Sequence, residues 1–187
     1  MMVGIRSVEV DDFPQIREIA TTAFKLHRFW ADRDLERMDV ERYYSAEVDS
    51  FQGELTRDRD GFEIFVADEG GQILGYIVLR IDRHLSSVYR CDWGVIASFA
   101  LRSVSRGKGV GTLLLDRALQ WFSEKGAERI DVLTDSGNIA AIQCYEKRGF
   151  RTIYSSVTLT KKLRERDNRC QISSGSPVCN TQSRTKD

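Results

Sequence analysis

The stretch Phe99-Ala100-Leu101-Arg102-Ser103-Val104-Ser105-Arg106-Gly107-Lys108-Gly109-Val110-Gly111 decides how this chain folds, because an apolar run ends there in a glycine-rich loop that opens an amphipathic segment. Val95 to Leu101 has the length and composition of a buried strand. After a turn, glycines fall on alternate positions, and Val110, Leu114, Ala118 and Trp121 then recur at helical spacing. The first turn of such a helix carries N–H groups without intrahelical partners, and the aligned peptide dipoles add partial positive charge where those groups point. Glycine lets the backbone approach a phosphate with no Cβ in the way, and Arg106 and Lys108 bring full positive charges to the same spot. The loop from Arg106 through Gly107, Lys108, Gly109, Val110, Gly111 and Thr112 is therefore an expected anion site.

Composition bounds the rest. A chain of 187 residues with 41% hydrophobic content is long enough for one domain with a substantial core. Lys and Arg together number 28, as do Asp and Glu, so no global field favours nucleic acid or an anionic membrane as partner. No apolar run approaches the roughly 18 residues of a membrane span, and the N-terminal residues, acidic from Glu9 onward, lack a signal-peptide core. A cytoplasmic protein is the expectation. Cys91, Cys144, Cys170 and Cys179 form no Cys-x-x-Cys pair, so they read as free thiols, and no metal site is expected.

Taken in order, Ile5 to Val10 alternates as a first strand, and Asp11 or Asp12 is placed to cap a helix bearing Phe13, Ile16, Ile19, Ala20, Ala23 and Phe24 on one face. A charged segment from Lys25 to Asp39 precedes a second helix from Val40, with Tyr43, Tyr44, Val48 and Phe51 in its stripe. Phe62 to Ala67 and Ile73 to Ile81 read as an antiparallel pair joined by the turn residues Asp68 to Gln72. Asp82 to Asp92 is polar and reads as a loop. Beyond the glycine loop the helix runs to Gly126, and Ile130 to Thr134 follows as a strand. A short helix from Asn138 then ends at Gly149, and Phe150 to Leu159 has the composition of a last strand. The domain is expected over residues 1–164, with 165–187 a polar, disordered tail.

Several glycine loops bind phosphate, and the sequence separates them. There is no Gly-x-x-x-x-Gly-Lys-Ser/Thr, and Thr112 stands where Gly-x-Gly-x-x-Gly needs its last glycine. What remains is Arg-x-x-Gly-x-Gly at Arg106, Gly109 and Gly111, which resembles the acetyl-CoA pyrophosphate loop of the GNAT superfamily of N-acetyltransferases. A second stretch, Asn138-Ile-Ala-Ala141-Ile-Gln-Cys-Tyr145-Glu-Lys-Arg-Gly149-Phe150, resembles that family's Asn-x-x-Ala-x-x-x-Tyr-x-x-x-Gly-Phe signature. The resemblance extends over roughly residues 3 to 162, with Ser103 and Ser105 departing from the proline and aromatic usual at those positions. It implies an α/β (α+β) GNAT fold: a central mixed, mostly antiparallel twisted sheet of about 6–7 strands with helices on both faces.

The resemblance also implies an acyltransferase with acetyl-CoA as co-substrate. The backbone of Phe99, Ala100 and Leu101 would bind the pantetheine arm, Asn138 would hydrogen-bond that arm with Ala141 beside it, and Tyr145 would donate a proton to the departing sulfur. From residue chemistry, Asp92, Glu63 and His84 are each candidates for the general base, and a water chain is a fourth route. The segment holding Arg28, Phe29, Trp30 and Asp32 resembles the region after the first helix in nucleotide-sugar N-acetyltransferases of the dTDP-fucosamine type. Arg28 could grip a diphosphate, Phe29 or Trp30 could stack on a base or sugar, and Asp32 could hydrogen-bond hydroxyls or orient the amine. The expected partner is thus a small-molecule amine, a nucleotide-linked amino sugar in this reading. A protein N-terminus or lysine is the alternative acceptor, and a non-catalytic acyl-CoA-binding module the alternative role. Whether the chain forms a homodimer is left open.

Overall fold

The computed structural model describes residues 2–24, 39–157 and 161. It falls into two units, Met1–Arg151 and Thr152–Asp187. Within the first, strands β1 (Gly4–Ser7), β2 (Phe62–Glu69), β3 (Gln72–Ile81), β4 (Trp93–Leu101) and β5 (Arg129–Val132) form one sheet in chain order. All neighbours are antiparallel except β4 and β5, which are parallel. The sheet is mixed and mostly antiparallel as expected, with five strands rather than six or seven among the described residues.

Helices α1 (Phe13–Phe24) and α2 (Val40–Arg57) cover one face, burying Phe13, Ile16, Ile19, Tyr44, Val48 and Phe51 against Ile64, Val66, Tyr76 and Val78. Tyr43 stands outside that stripe, exposed, with its ring set edge-on to Tyr44. On the opposite face α4 (Val110–Glu124) and α5 (Ile139–Glu146) bury Leu114, Leu115, Ala118, Phe122 and Tyr145 against Phe65, Ile77, Leu79 and Ile96. The alternation of β2 decides which side chain goes where, since Ile64 and Val66 face one layer and Phe65 and Ala67 the other.

Local chemistry sets the boundaries. Gly70 and Gly71 both take positive φ (64° and 88°), which makes the β2–β3 connection a tight turn that follows the strand twist. Asp39 caps α2 by accepting from the Arg42 amide at 2.9 Å. Gly126 and Gly149, the expected helix terminators, adopt the left-handed conformation. Ahead of α1, neither Asp11 nor Asp12 is the cap. Val10–Asp12 is a short 3-10 turn capped by Glu9, and the Asp12 carboxylate reaches back to the Glu9 amide at 2.8 Å. The first strand is correspondingly shorter than expected, because Val10 leaves the sheet and is exposed.

Two further expectations are corrected. The segment 82–92 is not a loop: Asp82 accepts from the Leu85 amide at 2.9 Å and starts α3 (Arg83–Tyr89). No residue of α3 is buried, and with only Leu85, Val88 and Tyr89 at helical spacing in a 7-residue segment the apolar period is too short to stand out. Residues 150–157 form no strand either, and the rest of that stretch lies outside the described residues. Strand propensity reports a fit to a half-buried pleated surface, and residues 151–157 are all exposed.

One polar network joins β1, the start of α1 and the end of β2. The Arg6 guanidinium donates to both Asp12 oxygens (2.6 and 2.9 Å) and to Asp68 (3.0 Å), whose other oxygen accepts from the Gly71 amide at 2.7 Å. Arg6 holds the Asp12 carboxyl below its ordinary pKa of 3.8. A group depressed on folding stabilises the native state above its unfolded pKa, and that contribution fades as pH falls through the folded value. Asp12→Asn should therefore cost about 1–3 kcal/mol at pH 7, read by urea unfolding, and the gap from the unsubstituted protein should narrow below about pH 4. An equal gap at pH 7 and pH 3 would show that the charge is not what matters.

Candidate active site

The site is organised by what β4 does halfway along its length. On one side β3 accompanies it from Gly94 to Leu101. On the other, β5 pairs only with Trp93, Gly94, Val95 and Ile96. The parting coincides with a bulge: Leu79 opposes Ile96 and Val78 opposes Ser98, which leaves Ala97 as an extra residue. A bulge bends its strand and increases the local twist, so a parallel neighbour cannot stay in register past it. From Ala97 to Leu101 β4 thus offers an edge that no other strand pairs with among the described residues. Backbone groups on such an edge need partners from elsewhere.

The bulge also inverts which side chains face which layer. Ile96 lies in the α4 layer before it. After it, Phe99 and Leu101 pack toward that layer while Ala100 joins the α1–α2 layer.

The end of β4 is tied down firmly. Arg102 donates through Nε to the Ile73 carbonyl at 2.7 Å and through its two terminal nitrogens to Glu18 of α1 at 2.7 and 2.9 Å. A 3-10 turn at Ser103–Ser105 follows, with Ser105 buried and its amide 3.0 Å from the Arg102 carbonyl. The chain then presents Arg106, Gly107, Lys108 and Gly109, all exposed, before α4 begins at Val110. Gly107 and Gly109 hold φ of 72° and 83°, and a Cβ on either would meet nothing within 4 Å. They form an open cradle capping the α4 N-terminus, where the amides of the first turn, including those of Gly111 and Thr112, lack intrahelical acceptors.

Gly111 has a different task from the other two. A Cβ there would stand 3.1 Å from Leu101 Cδ1 and 3.5 Å from Phe99 Cζ, so its glycine lets the first turn of α4 sit directly on the end of β4. The loop motif therefore leaves Gly107 and Gly109 open and uses Gly111 for packing.

The second motif reaches the same place from the other side. Asn138 caps α5, with Oδ1 accepting from the Ala141 amide at 3.4 Å and Nδ2 donating to Thr134 Oγ1 at 3.2 Å. Both functions of that amide are engaged within the chain, so the Asn-x-x-Ala spacing is accounted for by a cap. Tyr145 is 7% exposed, its ring 6.3 Å from Phe99 and 5.5 Å from Phe150. Burial pushes its phenol well above the ordinary value of 10.0, so it carries its proton at neutral pH. Arg148, just past α5, donates to Asp116 of α4 at 2.5 and 3.0 Å and anchors this end of the helix.

The three candidate bases are not gathered at this point. Asp92 precedes β4 at the end away from the glycine loop, its carbonyl accepting from the Glu128 amide at 2.8 Å. His84 is exposed on α3. Glu63 lies on β2 and accepts from Ser7 Oγ at 3.3 Å and from the Ile64 amide at 2.9 Å. Arg28, Phe29 and Asp32 lie outside the described residues, as do Cys170 and Cys179. Cys91 and Cys144 are free, and no cluster of metal-ligating side chains occurs among the described residues. No helix there is long and apolar enough to cross a membrane.

Residue-by-residue reading passed over Ala97, Ser98 and Arg102. The signal for the first two was present, since the alternation expected of a strand breaks between Ile96 and Phe99. Arg102 offered none, because its partners Ile73 and Glu18 are far away in sequence.

Comparison with known proteins agrees with this geometry. The model of the acetyltransferase (GNAT) family matches residues 14–150. An uncharacterized N-acetyltransferase of Methanocaldococcus jannaschii is 25% identical over 146 residues, 78% of this chain and 59% of that protein. N-alpha-acetyltransferase 30 of Schizosaccharomyces pombe is 33% identical over 86 residues, 46% of this chain and 55% of that protein. The chain thus spans between one half and three fifths of the length of these two curated relatives. The crystal structure of PaiA N-acetyltransferase from Thermoplasma acidophilum, in complex with coenzyme A, superposes with a TM-score of 0.66 at 19% identity, covering 81% of this chain and 91% of that one. With a match that runs from α1 through the glycine cradle to the residue after Gly149, the chain belongs to the GNAT acetyltransferase family.

Proposed function

We propose that this protein is an N-acetyltransferase that moves an acetyl group from acetyl-CoA to a primary amine. The observation that carries the reading is the convergence of three features: the unpaired β4 edge, the open glycine cradle at its end, and Tyr145 packed 6.3 Å from Phe99. Their spacing suits an extended arm that ends in phosphates. The backbone of Phe99, Ala100 and Leu101 takes the place of a pairing strand for that arm. The amides of Gly109, Val110, Gly111 and Thr112, with the charges of Arg106 and Lys108, take the pyrophosphate.

Acetyl-CoA supplies an acyl group activated as a thioester. An N–H of the splayed segment, aimed along the free edge near Leu101, stabilises the negative charge that develops on the carbonyl oxygen. The incoming amine must be neutral to attack; as the N–C bond forms and the C–S bond breaks, the proton lost by nitrogen balances the one gained by sulfur. Tyr145, protonated at neutral pH as a phenol is, donates to the departing sulfur. Asn138 and Ala141 act through the cap that aims α5. Asp92, Glu63 and His84 lie off the splayed segment, with Glu63 opposite Leu79 and so level with the bulge, and either one of these groups or a water chain takes the proton that nitrogen sheds.

Two acceptor classes have specific support. A nucleotide-linked amino sugar rests on Arg28, Phe29 and Asp32 as diphosphate, ring and hydroxyl contacts. A peptide N-terminus rests on the 33% identity over 86 residues to N-alpha-acetyltransferase 30. Thiol release from acetyl-CoA, measured against a panel of dTDP-amino sugars and short peptides with free N-termini, tests the activity and separates the two. Tight CoA binding with no amine accelerating thiol release would reduce the protein to an acyl-CoA-binding module.

Two variants examine the machinery. Gly109→Asp should weaken CoA binding by roughly tenfold or more, about 1.4 kcal/mol, when measured by calorimetry. Gly109→Asn keeps the shape without the charge and should bind better than Gly109→Asp; equal affinities would assign the loss to backbone strain alone. Tyr145→Phe should lower turnover by about a hundredfold while CoA affinity is retained, and an unchanged rate removes Tyr145 from the mechanism.

A further inference from the structure

The bulge at Ala97 has a buried polar companion that the reaction chemistry does not use. Ser98, the first residue after the bulge, is 8% exposed, and Tyr76, one strand away on β3, is fully buried. Their hydroxyls lie 3.1 Å apart. Around them stand side chains of the α1–α2 layer, the apolar Val48, Ile64 and Val78 among them, with Glu47 and Tyr44 of α2 acting electrostatically on the Tyr76 phenol.

The register explains why this pair matters. In the observed pairing Tyr76 opposes Ala100, Ile77 opposes Phe99 and Val78 opposes Ser98. Removing the bulge while keeping Leu79 opposite Ile96 would bring Ala97 opposite Val78, Ser98 opposite Ile77 and Phe99 opposite Tyr76. The Ser98 hydroxyl would then face the apolar layer of Phe65, Ile77 and Leu114. The Tyr76 hydroxyl would lose its partner, and Phe99 would leave Tyr145 for the opposite face. A one-residue slip moves every side chain beyond it to the other side of the sheet, and a buried hydroxyl without a partner disfavours the slipped form.

We propose that the Tyr76–Ser98 hydrogen bond is the register lock of β4: it holds the bulge at Ala97 and so positions the strand edge that would bind the acyl donor. Tyr76 and Ser98 are positioning residues, acting through the backbone of Ala97 to Leu101 without touching the reacting atoms. The consequence for catalysis rests on the function proposed above; the lock itself is a property of the protein alone.

The test uses the full chain with Tyr76→Phe, Ser98→Ala, their double variant and, as a conservative control, Ser98→Thr, which keeps a hydroxyl. Amide hydrogen exchange is followed without ligand, and CoA affinity, kcat and KM are measured alongside. Either single variant should raise exchange at Ala97 to Leu101 by about tenfold or more relative to amides of β2, and weaken CoA binding by a similar factor. The double variant should be no worse than the singles, as expected of one shared interaction, and Ser98→Thr should restore protection. Unchanged exchange at Ala97 to Leu101, or a uniform rise across the whole sheet, would overturn the lock. Should Tyr76→Phe fail to fold, Ser98→Ala, which removes one small hydroxyl, decides the matter alone. Local exchange changes in a chain that acetylates no amine would sink the proposed activity and leave the lock standing; robust acetylation with unchanged exchange in both variants would do the reverse.

Discussion

The structure depends on a strand that must stay paired on one side and let go on the other. β4 keeps β3 through Leu101 but releases β5 after Ile96, and the single extra residue Ala97 reconciles the two. A regular strand could not do this, because uniform pleat and twist would carry β5 along. The bulge opens a backbone edge in the middle of a well-packed sheet. It also turns Phe99 and Leu101 toward α4 and α5, where Gly111 and Tyr145 meet them. Two motifs that share no sequence proximity become neighbours across that one kink.

Polar fastening adds to the apolar packing that holds the sheet and its helices together. Arg102 ties the end of β4 to Ile73 and Glu18, Arg6 welds β1 to the α1 entry and the β2 end, and Arg148 pins α5 to α4. Each guanidinium spans elements that are distant in the chain and makes several directed bonds at once, which suits a planar fork better than an ammonium. The chain has no net charge, so any excess of positive charge is local, as where Arg106 and Lys108 stand beside the first turn of α4.

Much of the architecture was legible. The α1 stripe of Ile16, Ile19 and Ala20, the two-glycine turn, the α4 stripe and the left-handed glycines at 126 and 149 all follow from short-range rules of period and φ. The failures share a cause. α3 was missed because its apolar residues fill barely one turn of a polar 7-residue segment, and a strand was expected over 150–159 because Thr, Ile and Val favour one wherever a surface receives them. Asp12 was read as a cap when its carboxylate instead closes back on Glu9 and pairs with Arg6, a partner that only the folded chain brings into reach.

The sequence alone determined the family and the glycine cradle at the start of α4, because glycines that need positive φ and a helix that starts just beyond them are encoded within a dozen residues. The spacing from Asn138 to Tyr145 placed both on one short helix, and the fold brings Tyr145 beside Phe99. Only the tertiary structure decided that Gly111 packs while Gly107 and Gly109 stay open, and that Tyr76 and Ser98 share a buried hydrogen bond across the bulge. These depend on register between strands some twenty residues apart, and register is set by which face of the whole sheet is buried, a property no local stretch of the chain contains.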